Sequence, residues 1–197
     1  MTLNTITTWY LAYQGKTPEL PTWPAGSLLM EAEIASPELS QFLFTAVGNH
    51  WRWYSRLSWD YGHWQSYLAS GRVRTWVLYC RGTPAGYIEL CQHNDNPGET
   101  SVELKFFGLL PAFIGQGLGP KLAQAAISLA RQWTAGKIWV HTCSADHPAA
   151  LATYQKAGFV MYHSEQETDT IPVNYLEAAL CRLYVQSRLQ YFAPAKG

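Results

Sequence analysis

The sequence predicts an α/β fold built on a mixed β-sheet. Apolar, β-branched runs typical of strands alternate with segments of helical periodicity along the 197 residues. Two neighbouring runs, TWVLYC and AGYIELC, are joined by RGTP and predict an antiparallel hairpin. Hydrophobic residues make up 48% of the chain and charged residues 14%, which is a globular composition. We therefore expect one domain with a substantial core.

The individual elements follow from local patterns. We expect strands where β-branched and aromatic residues concentrate, at 5–13, 27–34, 75–80, 85–91, 101–110, 137–143 and 159–164. Helices are expected at 36–47 behind an N-cap serine, after Asp60, at about 117–133, from Pro148 to Ala157, and at 173–192. The stretch 93–100 is predicted to be a turn. The domain then divides into an N-terminal strand and linker (1–26), a core (27–166) and a helical tail (167–197).

Charge and cysteine usage exclude several classes of protein. Lys plus Arg and Asp plus Glu both number 14, so the basic excess of a nucleic-acid-binding protein is absent. The four cysteines form no CxxC pair, which argues against a zinc knuckle or a thioredoxin-type motif. The sequence shows no secretory signal pattern and no apolar run long enough to span a bilayer. We expect a cytoplasmic protein without a membrane or nucleic-acid partner.

The segment FFGLLPAFIGQGLGPKL places three glycines at alternate positions between a predicted strand and a predicted helix. Glycine is costly inside an element, so bare backbone at Gly115, Gly117 and Gly119 suggests a close approach by something else. A triphosphate-binding loop does not fit, because Pro120 separates the last glycine from Lys121. A dinucleotide fingerprint fails at the same proline. The spacing fits a turn whose N–H groups bind a pyrophosphate, or a glycine-rich connection without a ligand.

Two blocks, LLPAFIGQGLG at 109–119 and HPAALATYQKAGF at 147–159, occur in order with strand and helix patterns between them. Together they resemble the GNAT superfamily of acyl-CoA-dependent N-acetyltransferases. The first is similar to the family pattern Val-x-Pro-x-x-Arg/Gln-Gly-x-Gly-x-Gly/Ala, and the second to Asn-x-x-Ala-x-x-x-Tyr-x-Lys-x-Gly-Phe. Ile114 stands where the family has Arg or Gln, and His147 where it has Asn. The resemblance covers 73–165 well and implies a mixed sheet flanked by helices.

The resemblance implies acetyl-CoA as the cosubstrate. The backbone at the end of the strand would pair with the pantetheine amides, and N–H groups of the turn would bind the pyrophosphate. The implied cofactor contacts are Leu109, Leu110, Ile114, Gly115, Gln116, Gly117, Leu118, Gly119, Pro120, Lys121 and His147. Because isoleucine offers no polar group, we expect the glycine N–H groups to matter more, with Gln116 or Lys121 assisting.

Direct transfer to an amine requires that the amine lose a proton and that the departing thiolate gain one. Glu103 lies on the strand leading to the glycine turn and is our candidate general base, directly or through water. The alternative for this residue is an exposed strand position paired with Lys105. Glu89 on the preceding strand is the second candidate base. Tyr154 matches the family tyrosine that protonates the thiolate, although an aromatic residue on a packed helix also suits a core.

His141 and Cys143 lie at the carboxyl end of a predicted strand, where ligands bind in open α/β sheets. A cysteine nucleophile with a histidine base is one interpretation. A buried thiol beside a hydrogen-bonded histidine is the other. With His147 they offer three zinc ligands, but no fourth ligand is suitably spaced, so we expect no metal.

The aromatic block at 50–68 falls where the family builds its acceptor site. Aromatic faces attract cations, so Trp51, Trp53 and Trp59 are candidates for binding an amine, and Asp60 with Glu31 or Glu33 could orient its ammonium group. Glu89 is also a candidate for the acceptor site. The alternative is that these rings are core packing or a homodimer contact.

The leading hypothesis is an N-acetyltransferase that moves an acetyl group from acetyl-CoA to a primary amine of a small molecule or peptide. A module of the same fold that binds acyl-CoA without transferring its acyl group is the second hypothesis, and an unrelated α/β binding protein is the third. The family usually ends in a two-stranded hairpin, of which only the first strand is visible after 158. We therefore predict that strand 5–13 fills that edge of the sheet.

Overall fold

The computed structural model describes residues 4–51, 53–96, 99–134 and 136–169. Within them, seven strands form one mixed sheet with four α-helices around it, which confirms the predicted fold class. The strands are β1 (Asn4–Tyr13), β2 (Ser27–Glu31), β3 (Val73–Cys80), β4 (Thr83–Asn96), β5 (Glu99–Leu109), β6 (Lys137–Cys143) and β7 (Phe159–Asp169). The helices are α1 (Pro37–Gly48), α2 (Tyr61–Leu68), α3 (Leu118–Trp133) and α4 (Ala150–Lys156). The helix predicted at 173–192 lies outside the described residues.

The strand order is β2-β3-β4-β5-β6-β1-β7, and β5 with β6 is the parallel pair. Strand β1 joins the sheet on the predicted side, but the prediction that it forms the edge is wrong. It lies between β6 and β7 and pairs with both in antiparallel fashion. Strand β7 runs to Asp169 rather than ending at 164, and it pairs with β1 from Asn4 to Tyr13.

Helices cover both faces of the sheet. On one face, α3 packs through residues such as Leu122 on strand residues that include Ile88 and Ile138, and Tyr154 of α4 joins the same core. On the other face, α1 packs through Leu43 and Val47 against β3 and β4. The predicted caps form, since Ser36 Oγ accepts from the N–H of Leu39 at 3.2 Å and Asp60 caps α2.

Two predicted boundaries are wrong. The expected turn at 93–100 is largely strand, because His93 and Asn94 continue the β4 ladder opposite Ser101 and Thr100. The strand expected at 27–34 ends at Glu31. In both places, backbone pairing with a neighbouring strand determines where the strand ends. Residue type alone does not predict that pairing.

Strands β5 and β6 pair only at three positions, from Ser101 opposite Lys137 to Glu103 opposite Trp139, and then separate. A bulge accompanies the separation, because Leu90 pairs with Leu104 while Glu89 pairs with Phe106. Lys105 is the extra residue in β5, and a bulge of this kind bends its strand. The sheet therefore opens into a V whose apex is at Glu103.

No helix within the described residues is long and apolar enough to cross a membrane.

Candidate active site

A cavity of about 1070 Å³ occupies the V between β5 and β6 and passes from one face of the sheet to the other. On the α3 and α4 face it is lined by the glycine turn and α4, and on the opposite face by the loop between α1 and α2. Because β6 leaves β5 after Glu103, the edge of β5 from Leu104 to Leu109 lines the gap. This edge is open to an extended ligand that pairs with backbone.

The glycine turn forms the first end of the cavity. Gly115 and Gly117 have φ values of 82° and 74°, in the left-handed region that glycine adopts without strain. A Cβ atom at either position would meet nothing within 4 Å, so packing does not account for these glycines. Among the described residues, none accepts a hydrogen bond from the amide N–H groups of 115–117, and α3 starts at Leu118. These donors and the positive end of the helix dipole together suit a phosphate group.

The predicted cofactor residues divide into two groups. Leu109, Ile114, Gly115, Gly117, Gly119, Pro120 and His147 line the cavity, and Leu110, Gln116, Leu118 and Lys121 do not. The Gln116 amide donates to the Ala112 carbonyl at 2.8 Å, and Lys121 Nζ donates to the Thr22 carbonyl at 3.0 Å. Both side chains are engaged with backbone carbonyls in this arrangement, and main-chain N–H groups are the donors that face the cavity at the turn.

Tyr154 projects from α4 into the same cavity. Its ring packs against Phe107 and Phe159, with centroids 5.7 and 5.9 Å away. Burial raises the pKa of the Tyr154 hydroxyl, and the Asp146 carboxylate raises it further. None of the described residues is hydrogen-bonded to this hydroxyl. It therefore remains protonated near neutral pH, with its proton available to a ligand.

The loop between α1 and α2 and the loop between β6 and α4 meet above the open end of the V and close the cavity there. The Trp53 indole N–H donates to Asp146 at 3.3 Å, and Asp146 also accepts from the Thr142 hydroxyl at 2.8 Å. The Trp51 ring lies edge-on to His147, with centroids 4.8 Å apart. His147 Nδ1 accepts from the N–H of Ala149 at 3.0 Å, which fixes that imidazole at the entrance to α4.

Trp51 and Trp53 line the cavity, but two other residues proposed for the acceptor do not. Glu89 is buried on β4, where Arg56 binds both of its carboxylate oxygens at 2.7 and 2.9 Å. The Tyr67 hydroxyl donates to the same carboxylate at 2.7 Å. The Trp59 ring lies 4.7 Å from the Arg56 guanidinium instead of facing the cavity.

Glu103 is fully buried at the apex of the V. Its Oε1 accepts from His141 Nδ1 at 2.8 Å and from Lys105 Nζ at 3.3 Å, and its Oε2 contacts His93 Nε2 at 2.9 Å. Burial alone would raise the pKa of this carboxyl, but the bonds from His141 and Lys105 outweigh it and the pKa is lowered. The carboxylate is thus ionised, and it lies behind His141 and Lys105, which do line the cavity.

Cys143 also lines the cavity, two residues after His141 on β6. Among the described residues, no three His, Cys, Asp or Glu side chains are grouped to hold a metal ion. His141 Nδ1 bonds the Glu103 carboxylate in this arrangement.

Sequence reasoning missed three polar residues in these clusters. Arg56 lies within the aromatic block of the sequence. A cation flanked by so many aromatic residues was the signal that could have identified it. Lys105 was noted only as a surface partner of Glu103, although the bulge turns it toward the cavity. His93 was assigned to a turn, so its contact with Glu103 was not foreseen.

A family model described as the acetyltransferase (GNAT) family matches residues 34–159, more than half of the chain. The chain therefore belongs to the GNAT acetyltransferase family, as its two sequence blocks predicted. A search of the curated proteins finds none with significant sequence similarity.

Solved structures support the fold. A GCN5-related N-acetyltransferase from Kribbella flavida superposes with a TM-score of 0.57 at 18% identity over 87% of this chain and 60% of that one. Another, from Sphaerobacter thermophilus, gives 0.56 at 16% over 84% and 53%. An aminoglycoside acetyltransferase from an uncultured soil sample gives 0.53 at 17% over 67% and 87%. The chain spans 53% to 65% of the first three structures it matches.

Proposed function

We propose that this chain is an N-acetyltransferase that moves an acetyl group from acetyl-CoA to a primary amine of a small molecule or peptide. The observation that carries the proposal is the continuity of one cavity from the glycine turn to the tryptophan loop. A donor bound at the turn and an acceptor bound under the loop would then meet at the V of the sheet. Holding two reactants in this way removes much of the entropic barrier to a bimolecular reaction.

On the donor side, the amides of Gly115 to Gly119 would bind the pyrophosphate of coenzyme A. The open edge of β5 would pair with the pantetheine arm and direct the thioester toward the apex of the V. The departing thiolate would take its proton from Tyr154, whose raised pKa keeps the hydroxyl protonated.

On the acceptor side, the rings of Trp51 and Trp53 would attract the ammonium form of the amine. The ionised Glu103 carboxylate lies behind His141 and Lys105 in the cavity wall, and it would favour removal of a proton from the amine. An acetyltransferase named for aminoglycosides, which are amine-bearing small molecules, is among the structures of similar fold. This supports a small-molecule acceptor for this chain as well. The cytoplasmic location and the homodimer remain predictions from sequence.

Thermal unfolding with coenzyme A tests the donor half. A ligand at 100 times its Kd stabilises a protein by about 2.7 kcal/mol, so a clear rise in Tm is expected. Release of thiol from acetyl-CoA across a panel of primary amines tests transfer. Stabilisation without thiol release for any amine would favour the module that only binds acyl-CoA. The absence of both effects would reject the proposal.

The glycine turn offers a matched pair of variants. Gly117→Ala and Gly71→Ala both place a Cβ atom at a left-handed φ, 74° and 72°, with open space around it. Each should cost about 1 kcal/mol of stability through backbone strain. Gly117→Ala should also weaken coenzyme A binding at least tenfold, measured by titration calorimetry, because Gly117 lines the cavity and Gly71 does not. Equal affinity in the two variants would place the pyrophosphate elsewhere.

A further inference from the structure

His141 lies between the buried Glu103 carboxylate and the cavity, and the sequence analysis left its role open. We propose that His141 is the base that removes the proton from the acceptor amine, and that Glu103 positions it. The inference rests on the proposed acetyl-transfer function and names the residue that carries its proton-removal step.

Glu103 is poorly placed to take the proton itself. Its side chain is 0% exposed, and both carboxylate oxygens are occupied by neighbouring donors. The imidazole of His141 stands in front of it, with 38% of its side chain exposed, and lines the cavity. A substrate therefore meets the imidazole first. Direct contact with the carboxylate would require breaking the 2.8 Å bond between the two side chains.

The Glu103 carboxylate also sets the tautomer of His141. An ionised carboxylate accepts hydrogen bonds and cannot donate them, so Nδ1 of the neighbouring imidazole must carry the proton. The other nitrogen, Nε2, then has a free lone pair, and no residue in the described part of the chain is hydrogen-bonded to it. A neutral imidazole that presents Nε2 to a cavity, with a carboxylate behind it, is arranged to accept a proton and to be stabilised once charged.

Other titratable groups surround this pair without competing for the role. Tyr10 on β1 lies 5.9 Å from the His141 ring, and its hydrogen bond to Glu165 raises its pKa to about 12, so it is neutral. Lys105 on β5 neutralises part of the Glu103 charge. Across the cavity, Asp146 is already engaged by Trp53 and Thr142. Glu167 on β7 lines the cavity from an exposed position.

The position of His141 also separates the two proton transfers. Side chains alternate along β6, so His141 faces the α1 and α2 side of the sheet, whereas Ile138 and Val140 face the α3 and α4 core that holds Tyr154. The amine would thus lose its proton on one face of the V, and the thiol would gain its proton on the other.

The ammonium form of the amine first loses one proton to water, which frees the nitrogen lone pair. The neutral nitrogen then forms a bond to the thioester carbon, and His141 Nε2 takes one further proton from that nitrogen. The carbon–sulfur bond then breaks, and the sulfur leaves with the electron pair and takes a proton from Tyr154. The products are the N-acetyl amine and free thiol. The imidazolium and tyrosinate return to their neutral forms by proton exchange with water.

The test compares His141→Gln with His93→Gln. Both variants remove a histidine bonded to Glu103, but only His141 lines the cavity. With acetyl-CoA and the fastest amine of the panel, His141→Gln should lower kcat by about 10²–10⁴-fold. His93→Gln should lower it less than tenfold. Stabilisation by coenzyme A should be the same in both, since neither residue lies at the glycine turn.

Two further measurements keep a structural role apart from a chemical one. Added imidazole should restore part of the activity of His141→Ala and none of the activity of Tyr154→Phe. Nitrogen NMR of the full chain should show neutral His141 protonated on Nδ1. Equal losses of kcat in the two glutamine variants, or an Nε2-protonated His141, would overturn the assignment. A wild type that acetylates none of the amines would instead overturn the proposed function itself.

Discussion

Two buried carboxylates lie on the same face of the sheet, Glu89 on β4 and Glu103 on β5, and they differ in the side chains that bind them. Glu89 is bound by a bidentate guanidinium, itself 3% exposed and surrounded by the rings of Trp59, Trp64, Tyr67 and Phe106. Glu103 is bound by two histidines and a lysine, of which His141 and Lys105 line the cavity.

The difference is one of proton chemistry. Arginine stays protonated in proteins, so Arg56 supplies a fixed positive charge, almost fully buried, that ties the tryptophan loop to Glu89 on the sheet. Histidine is the side chain most used for proton transfer near neutral pH, and His141 connects Glu103 to the cavity. The first carboxylate therefore supports the wall of the cavity, and the second is connected to its interior.

Breaking the Arg56–Glu89 pair should have the largest effect on stability. Arg56→Met leaves a buried carboxylate without its cation, which typically costs about 3–5 kcal/mol of unfolding free energy. Denaturant unfolding measures it. The double variant Arg56→Met with Glu89→Leu should recover most of the loss, because two apolar residues leave no charge unpaired. A single variant as stable as wild type would show that the pair does not hold the loop.

Removing one hydrogen bond from the same carboxylate should have a smaller effect. Tyr67→Phe deletes the 2.7 Å bond to Glu89, and bonds to charged groups contribute about 1.5–3 kcal/mol. The bidentate guanidinium remains, so the loss should fall at the lower end of that range in thermal unfolding. Thiol release should be unchanged, since Tyr67 does not line the cavity. A lower kcat with intact stability would contradict the supporting role given to Glu89.

Neutralising the second carboxylate should affect turnover more than stability. Glu103→Gln keeps an acceptor for His141 Nδ1 but removes the charge that stabilises the imidazolium, so kcat should fall at least tenfold, equivalent to about 1.4 kcal/mol. KM for acetyl-CoA should not change. Steady-state kinetics with both substrates varied separates these effects. A change in KM with constant kcat would assign Glu103 to binding.

The smallest expected effect is the pH dependence of the stability difference between wild type and Glu103→Gln. Burial opposes ionisation of Glu103, but its bonds to His141 and Lys105 outweigh this, and its pKa is lowered from the ordinary 4.5. Its stabilising contribution is then complete above the unfolded pKa and is lost as pH falls through the folded one. The stability gap between wild type and Glu103→Gln should therefore narrow as pH falls through 4.5 and below it. A gap that widens would mean that the carboxyl is protonated in the fold.

Local patterns predicted much of the fold and the glycine turn at one end of the cavity. Strand alternation, the serine cap of α1 and the left-handed glycines each depend on residues close together in sequence. The same holds for the cavity-lining positions of Gly115 and Tyr154, which belong to motifs contained within one turn or helix.

The polar clusters could not be predicted, because they join residues far apart in the chain. Alternation placed Glu103 opposite Val102 and Leu104, but it did not reveal that His141, thirty-eight positions away, would cover it. Arg56 reaches Glu89 across thirty-three positions. The bulge at Lys105 also depends on how β5 pairs with β4, and the identity of the lysine does not predict that pairing.

The insertion of β1 between β6 and β7 affects how the chain folds during its synthesis on the ribosome. Thr8 pairs with Cys143 and Asn4 with Asp169, so the first described strand has to wait for partners made much later. At about 5–20 residues per second, that delay is on the order of ten seconds. During it the segment TITTWYLAY is an unpaired, β-branched and aromatic strand, the kind of sequence that associates with other chains. Folding in the cell would then depend on shielding this strand until β6 and β7 have been made.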